Sequence, residues 1–229
     1  MTFGSTQTKN TSVTVLDYGI GNLLNVVRAL AHCGATVRVA TNASDAMQAG
    51  QLPDRLVLPG VGAFGDAMDE LRLRGFDDLV KRYAATERPF MGICVGAQLL
   101  FDVGEEHSSG GEHAGLGLIS GRVQPVPATT PEGQSLRIPH IGWSALQLPP
   151  ARTGWHGTPL AGVAPGEPVY FVHSFAPVPT HEAHRLADTN YQGVRICAAV
   201  ASGSVYGCQF HPERSAGAGL GILRQFLTL

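Results

Sequence analysis

Residues 88–101 read RPFMGICVGAQLLF: an apolar strand pattern, then Gly-Ile-Cys-Val-Gly, then a helical pattern. Gly92 and Gly96 stand two positions either side of Cys94, as glycines flank the serine of a nucleophile elbow. A nucleophile on a sharp strand-to-helix turn adopts a strained backbone, and a Cβ two residues away would crowd it. The turn also predicts a sulfur at a helix N-terminus, where the dipole favours thiolate over thiol. Most free cysteines are buried apolar filler; the paired glycines favour a nucleophile at Cys94.

A thiolate nucleophile needs a base, and the base needs an orienting group. Phe210-His211-Pro212-Glu213, at the end of a strand pattern, offers both. Pro212 restricts His211 to extended dihedrals, and in an extended chain residues i and i+2 share a face, so Glu213 is expected beside His211. Taken alone, the same four residues also describe a surface turn. The third part is Leu58-Pro59-Gly60-Val61-Gly62-Ala63. Glycines here let the N–H groups of Gly60, Val61 and Gly62 turn toward a ligand, and with the N–H of Val95 they could hold an oxyanion. A phosphate cradle is disfavoured because no Gly-Lys-Ser/Thr follows; a plain tight connection between strand and helix stays open. Of the remaining histidines, His32, His107, His113, His156, His181 and His184 lie in polar, loop-like contexts and read as surface residues. His140 and His173 sit in strand patterns, structural or close to the site. No pair has metal-ligand spacing such as H-E-x-x-H, so neither a metal nor a cofactor is expected.

The elements that must position these groups follow from periodicity. Strands are predicted at residues 12–16, 36–40, 55–58 and 89–93. Helices are predicted at 22–31 (closed by Gly34), 44–49 and 66–83, the last broken near Gly75. Strands alternating with helices imply a parallel sheet covered on both faces. Between residues 115 and 168 lie most of the prolines, with short strand candidates at 118–123, 136–141 and 144–148. Further strands are predicted at 169–175, 194–201 and 205–210, the last two as a hairpin, and a helix at 218–227. The expected architecture is one α/β domain over residues 12–229, its central, mostly parallel sheet flanked by helices and joined to a β-rich, antiparallel second half. Residues 1–11 are polar, lack the apolar core of a secretory signal, and read as a disordered extension.

With 229 residues, the chain is long enough for one full-sized domain with its own core. Sixteen Lys and Arg against eighteen Asp and Glu leave a formal charge of −2, giving no electrostatic reason to expect nucleic acid or an anionic membrane as partner. At 44% hydrophobic and 15% charged, the composition excludes disorder. No apolar run reaches about 18 residues, so no transmembrane helix is expected. Four cysteines without a C-x-x-C pair argue against a disulfide scaffold and fit a reducing, cytoplasmic setting. A two-residue turn at Ser202-Gly203 would put Ala201 opposite Ser204 and Cys197 opposite Cys208, both expected to be reduced.

Together, G-I-C-V-G-A-Q and a late H-P-E resemble the class I (triad-type) glutamine amidotransferases. Within that family the motifs are similar to those of the glutaminase subunits that serve imidazole glycerol phosphate synthases in histidine biosynthesis. The likeness extends over D-Y-G-I-G-N from Asp17, P-G-V-G-A-F from Pro59, G-L-G-L-I-S-G-R-V from Gly115, P-H-I-G-W from Pro139, Y-F-V-H-S from Tyr170 and F-H-P-E-R-S from Phe210. It implies that Cys94 attacks the carboxamide of glutamine, His211 carries the proton to the departing ammonia, and Glu213 orients His211. Gln98, Glu106 and the Ser174-Phe175 backbone would hold the glutamine. The loop at Gly60, Val61 and Gly62 would need a peptide flip before serving, with Val95, as an oxyanion site. The resemblance further implies a (β/α)8-barrel cyclase subunit as heterodimeric partner, fed with ammonia through a channel, with Asn22, Trp143, Tyr170 and Arg214 near the interface. For Trp143 and Tyr170 ordinary core packing stays open. Ser144, Phe175 and Arg214 stand where many members carry Asn, Tyr and Lys. Rival readings are a glutaminase subunit for an anthranilate or pyridoxal phosphate synthase, a catalytically dead binding subunit, and a free-standing cysteine amidase.

Overall fold

A computed structural model of the protein describes residues 11–106 and 112–229. The expected extension up to residue 10, and His107, lie outside the described residues. Thr11, expected as the extension's last residue, instead opens the first strand.

In the first half, β1 (Thr11–Leu16), β2 (Ala35–Ala40), β3 (Leu56–Gly60) and β4 (Phe90–Cys94) alternate with α1 (Leu23–His32), α2 (Ala43–Ala46), α3 (Phe64–Leu73) and α4 (Phe76–Ala84). Every residue of β3 and β4 is buried, as near-continuous apolar runs in a parallel sheet predict. Gly75, at φ 69°, takes the left-handed turn that separates α3 from α4. The Asn42 side chain caps α2 by accepting from the Asp45 N–H. A one-turn helix, α5 (Val95–Gln98), follows β4. The expected longer helix there is not formed: residues 95–101 are all buried, Gln98 included, so the segment carries no amphipathic period to decide its length.

The second half holds β5 (Phe101–Gly104), β6 (His113–Ala114), β7 (Ile119–Pro125), β8 (His140–Ala145), β9 (Pro168–His173), β10 (Phe175–Pro179), β11 (Arg185–Tyr191), β12 (Val194–Ser202), β13 (Val205–Cys208) and α6 (Ala216–Phe226). The main sheet runs β11-β12-β13-β4-β3-β1-β2. From β13 to β2 its neighbours are parallel; β12 and β11 extend it antiparallel. A second sheet runs β10-β7-β5-β6, and β8 pairs with β9 as a separate antiparallel ribbon.

Several expected strands shift. Residues 136–139 form no strand, the pairing starting only at His140, beyond Pro139, which has no N–H to donate. The 144–148 candidate dissolves into the end of β8 and an isolated bridge from Gln147 to Asp188. The 169–175 strand breaks at Ser174, so β9 and β10 join different sheets. Unexpected is β11, whose RLADTNY sequence carries residues poor in strand propensity. There Asp188, 2% exposed, is held by Arg185 at 2.7 Å and Arg195 at 2.6 Å, so the polar strand is satisfied rather than solvated. The β12–β13 turn sits one residue later than expected, pairing Ser202 with Val205 and Ala199 with Cys208. Cys197 faces Asp188 of β11 instead, and both cysteines are free and buried.

This topology gathers the site. Gly60 is opposite Cys94, and Cys208 opposite Ile93, so β3, β4 and β13 end side by side at their carboxyl ends. The three segments singled out for chemistry follow those three ends, where open α/β sheets bind ligands.

Candidate active site

Cys94 has φ 54° and ψ −114°, a conformation that L-residues avoid. The flanking glycines make room for it. A Cβ on Gly96 would lie 1.9 Å from the Leu58 carbonyl oxygen, and one on Gly92 would lie 2.5 Å from that of Gly96. The sulfur opens onto a cavity of about 520 Å³ lined also by Val61, Gly62, Val95, Gln98, Glu106, Ser174, Phe175 and His211. Of the expected oxyanion loop, Gly60 is buried behind the cavity while Val61 and Gly62 face it, Gly62 at φ 85°. With α5 only four residues long, a summed helix dipole at Cys94 is not available, which corrects that part of the expectation.

His211 and Glu213 meet as expected but by another route. His211 is extended, at φ −99° and ψ 96°, yet Pro212–Arg214 folds into a single 3-10 turn. That turn swings the Glu213 carboxylate back onto His211, with Nδ1 and Oε1 2.9 Å apart. Both side chains are sealed, at 4% and 0% exposure. A buried serine braces the turn: Ser215 Oγ accepts from the Tyr170 N–H at 2.9 Å and donates to the His211 carbonyl at 2.6 Å. Burial alone would lower the His211 pKa; contact with Cys94 and Glu213 outweighs it and lifts the pKa from 6.5 to about 10. Among the described residues Nε2 of His211 nevertheless finds no partner of normal hydrogen-bond geometry, so its pairing with Cys94 is close but not closed. Asn22, expected at an interface, donates from Nδ2 to Glu213 Oε1 at 3.3 Å and accepts from Asn25 at 2.8 Å.

Opposite the sulfur, the wall is a network of buried amides and imidazoles. Gln98 Nε2 donates to the Phe175 carbonyl at 3.0 Å and to Gln209 Oε1 at 2.9 Å. The Gln98 Oε1, also buried, has no partner among the described residues. Gln209 Nε2 lies 3.8 Å from Cys94 Sγ. His173 contacts the same Phe175 carbonyl through Nδ1 at 2.8 Å, His140 through Nε2 at 3.0 Å, and His140 reaches Ser144 Oγ at 2.9 Å. Burial pushes the pKa of His140 down to about 4 and that of His173 down to about 3. Neutral rings and a carbonyl that can only accept assign one direction to the chain, Ser144 to His140 to His173 to Phe175. Glu106 borders the cavity, and its Oε2 accepts from the Phe64 N–H at the start of α3 at 3.0 Å.

On β8, Trp143 is 53% exposed and Ile141 57%, so Trp143 is not core. Tyr170 is half-buried, 5.9 Å from the Trp143 ring, with the Arg214 guanidinium 4.6 Å above its own. Sequence reasoning missed Gln209, Ser215 and the role of Asn22. Alternation along the strand was the available signal for Gln209, two residues before His211. Nothing local marks Asn22, 191 residues from Glu213.

The description of the class-I glutamine amidotransferases matches residues 14–228. The chain is 44% identical over 218 residues to "Imidazole glycerol phosphate synthase subunit HisH 1" of Legionella pneumophila (strain Lens), covering 95% of this chain and 99% of that one. It is 39% identical to "Imidazole glycerol phosphate synthase hisHF, chloroplastic" of Arabidopsis thaliana, covering 97% of this chain but 35% of that longer protein. Among solved structures, PurLQS from Thermotoga maritima shares the fold at a TM-score of 0.68 and 19% identity, over 96% of this chain and 98% of that one.

Proposed function

The chain belongs to the class-I glutamine amidotransferase family, and from that premise we propose that it is the glutaminase subunit of an imidazole glycerol phosphate synthase in histidine biosynthesis. The observation that carries the chemistry is His211, its Nδ1 fixed on Glu213 and its Nε2 unspent beside Cys94. A histidine so oriented serves a nucleophile. The relatives' names carry the pathway.

In this reading Cys94 Sγ, as thiolate, attacks the carboxamide carbon of glutamine, and the C=O pair moves onto oxygen. The N–H groups of Val95 and, after a peptide flip, of the loop at Val61-Gly62 receive that oxyanion. His211, protonated at Nε2, gives its proton to the departing nitrogen, ammonia leaves, and a glutamyl thioester remains. Neutral His211 then takes a proton from water as its oxygen attacks the thioester; glutamate departs and the thiolate–imidazolium pair is restored. Glu213 offsets the imidazolium charge throughout. Gln98, through its unspent Oε1, together with Glu106 and the Ser174-Phe175 backbone, holds the substrate. Ammonia passes to a (β/α)8-barrel cyclase subunit bound as a heterodimer, with Trp143, Tyr170, Arg214 and Asn22 at its interface. The Arabidopsis protein, of which this chain matches about a third, supports a partner activity working beside the glutaminase.

Glutamate release is measured with and without the cyclase subunit and its nucleotide ligand. The loaded partner is expected to raise the rate, and Cys94→Ala to abolish glutamine hydrolysis while ammonia-dependent synthesis by the partner persists. Glutamine turnover surviving in Cys94→Ala would remove the nucleophile. Full activity from the chain alone would point to a free-standing amidase.

A further inference from the structure

The polarity of the buried amides beside Cys94 is settled by their partners, not by the shape of their side chains. The Phe175 carbonyl can only accept, so the Gln98 group facing it at 3.0 Å is the NH2. The second N–H of that NH2 faces Gln209, 2.9 Å away, and therefore meets the Gln209 oxygen. What remains of Gln209 is its own NH2, and it points at Cys94 Sγ. The far side is equally constrained, because the His173 Nδ1–H takes the other lone pair of the Phe175 carbonyl at 2.8 Å. No member of this set can flip without stranding a buried donor or acceptor, which costs far more than a satisfied amide.

We propose that Gln209 is a further functional residue of the site: its side-chain N–H donates to the Cys94 sulfur and favours the thiolate over the thiol. It is the neutral counterpart, on one side of the sulfur, of the His211 imidazolium on another. At 3.8 Å the contact is long for a thiol; hydrogen bonds shorten and strengthen when the acceptor carries charge. As a donor, the thiol itself has only a long contact, to the Val172 carbonyl at 4.0 Å. The other titratable groups around the sulfur are Tyr18 behind the turn, His173, Glu106 and Arg214 along the cavity, and Glu213 behind His211. None of them donates to the sulfur by hydrogen-bond geometry, so removal of the amide has no ready substitute.

For its catalytic consequence the inference rests on Cys94 as the nucleophile, but its primary test needs no glutamine. In the full chain, iodoacetamide alkylation of Cys94 is followed across pH by mass spectrometry of its peptide, for wild type, Gln209→Met and Gln209→Glu. The alkylation midpoint is expected to rise by about one pH unit in Gln209→Met and further in Gln209→Glu, where a carboxylate replaces the donor. Glutamine turnover should fall about tenfold in kcat with little change in KM. Folded variants that alkylate with the wild-type midpoint would overturn the inference. Should neither variant fold, the side-chain amide resonances of Gln209 in the wild-type chain decide. They are expected to move with the same midpoint as alkylation, and stationary resonances would overturn it. Loss of the proposed glutaminase role would appear separately, as glutamine hydrolysis that survives Cys94→Ala.

Discussion

The strands β1 to β4 and the mixed strands after them reach one cavity by different means. On the parallel side the site is built from backbone: a cysteine at positive φ, two glycines pressed against carbonyl oxygens, and a glycine loop. On the other side it is built from side chains whose hydrogen bonds run in one direction, at Ser215, His211 and Glu213 and again from Ser144 to Phe175. At Gly92 and Gly96 the backbone half has no room for a Cβ, whereas the side-chain half depends on particular donors. A nucleophile needs a fixed position, which packing supplies; its proton traffic needs fixed polarity, which only hydrogen bonds supply.

The sharpest way to break this contrast is Gly96→Ala. The new Cβ meets backbone rather than a movable side chain, and a loss of about 3 kcal/mol in a urea titration is expected. Near-wild-type stability would mean the elbow yields, and the contrast would fall. Ser215→Ala probes the other half. It strands the Tyr170 N–H and loosens His211, so a loss of about 2 kcal/mol is expected, together with reduced glutamine turnover. Lost stability with unchanged turnover would show that the brace serves only the fold. The gentlest test perturbs nothing. Imidazole resonances of His140 and His173 should keep their neutral form from pH 8 down to about pH 5, while His211 stays protonated up to about pH 9. The signs of the linked stabilities are opposite. The lowered pair contributes stability that is full above pH 6.5 and is lost as pH falls through about 4 for His140 and about 3 for His173. Raised His211 contributes stability that is full below pH 6.5 and is lost as pH rises through about 10. Titration of His173 near pH 6.5 would contradict the single direction of its chain.

Much of the parallel half was legible in the sequence, because apolar strands and glycine punctuation are local signals; β1, β2, β4, and the break at Gly75 all fall close to expectation. The spacing around Cys94 was legible for the same reason. The second half hid its organisation. β11 is satisfied by arginines three and seven residues from Asp188, so its strand character rests on tertiary pairing rather than propensity. Glu213 was placed correctly for a reason that did not hold, since a turn brings it to His211, not an extended face. The Gln98–Gln209 pair and the Asn22–Glu213 contact join residues more than a hundred positions apart, and no periodicity encodes such meetings.

The burial of Cys197 and Cys208 has a consequence for oxidative stress. Burial pushes both thiols up to about 12 and raises that of Cys33 as well. Oxidants and electrophiles attack thiolates, so at neutral pH these three sulfurs are poor targets, and Cys94 is the one that opens onto the cavity. Peroxide should therefore silence ammonia release while leaving the fold intact, and a reductant applied before the damage passes sulfenic acid should restore it.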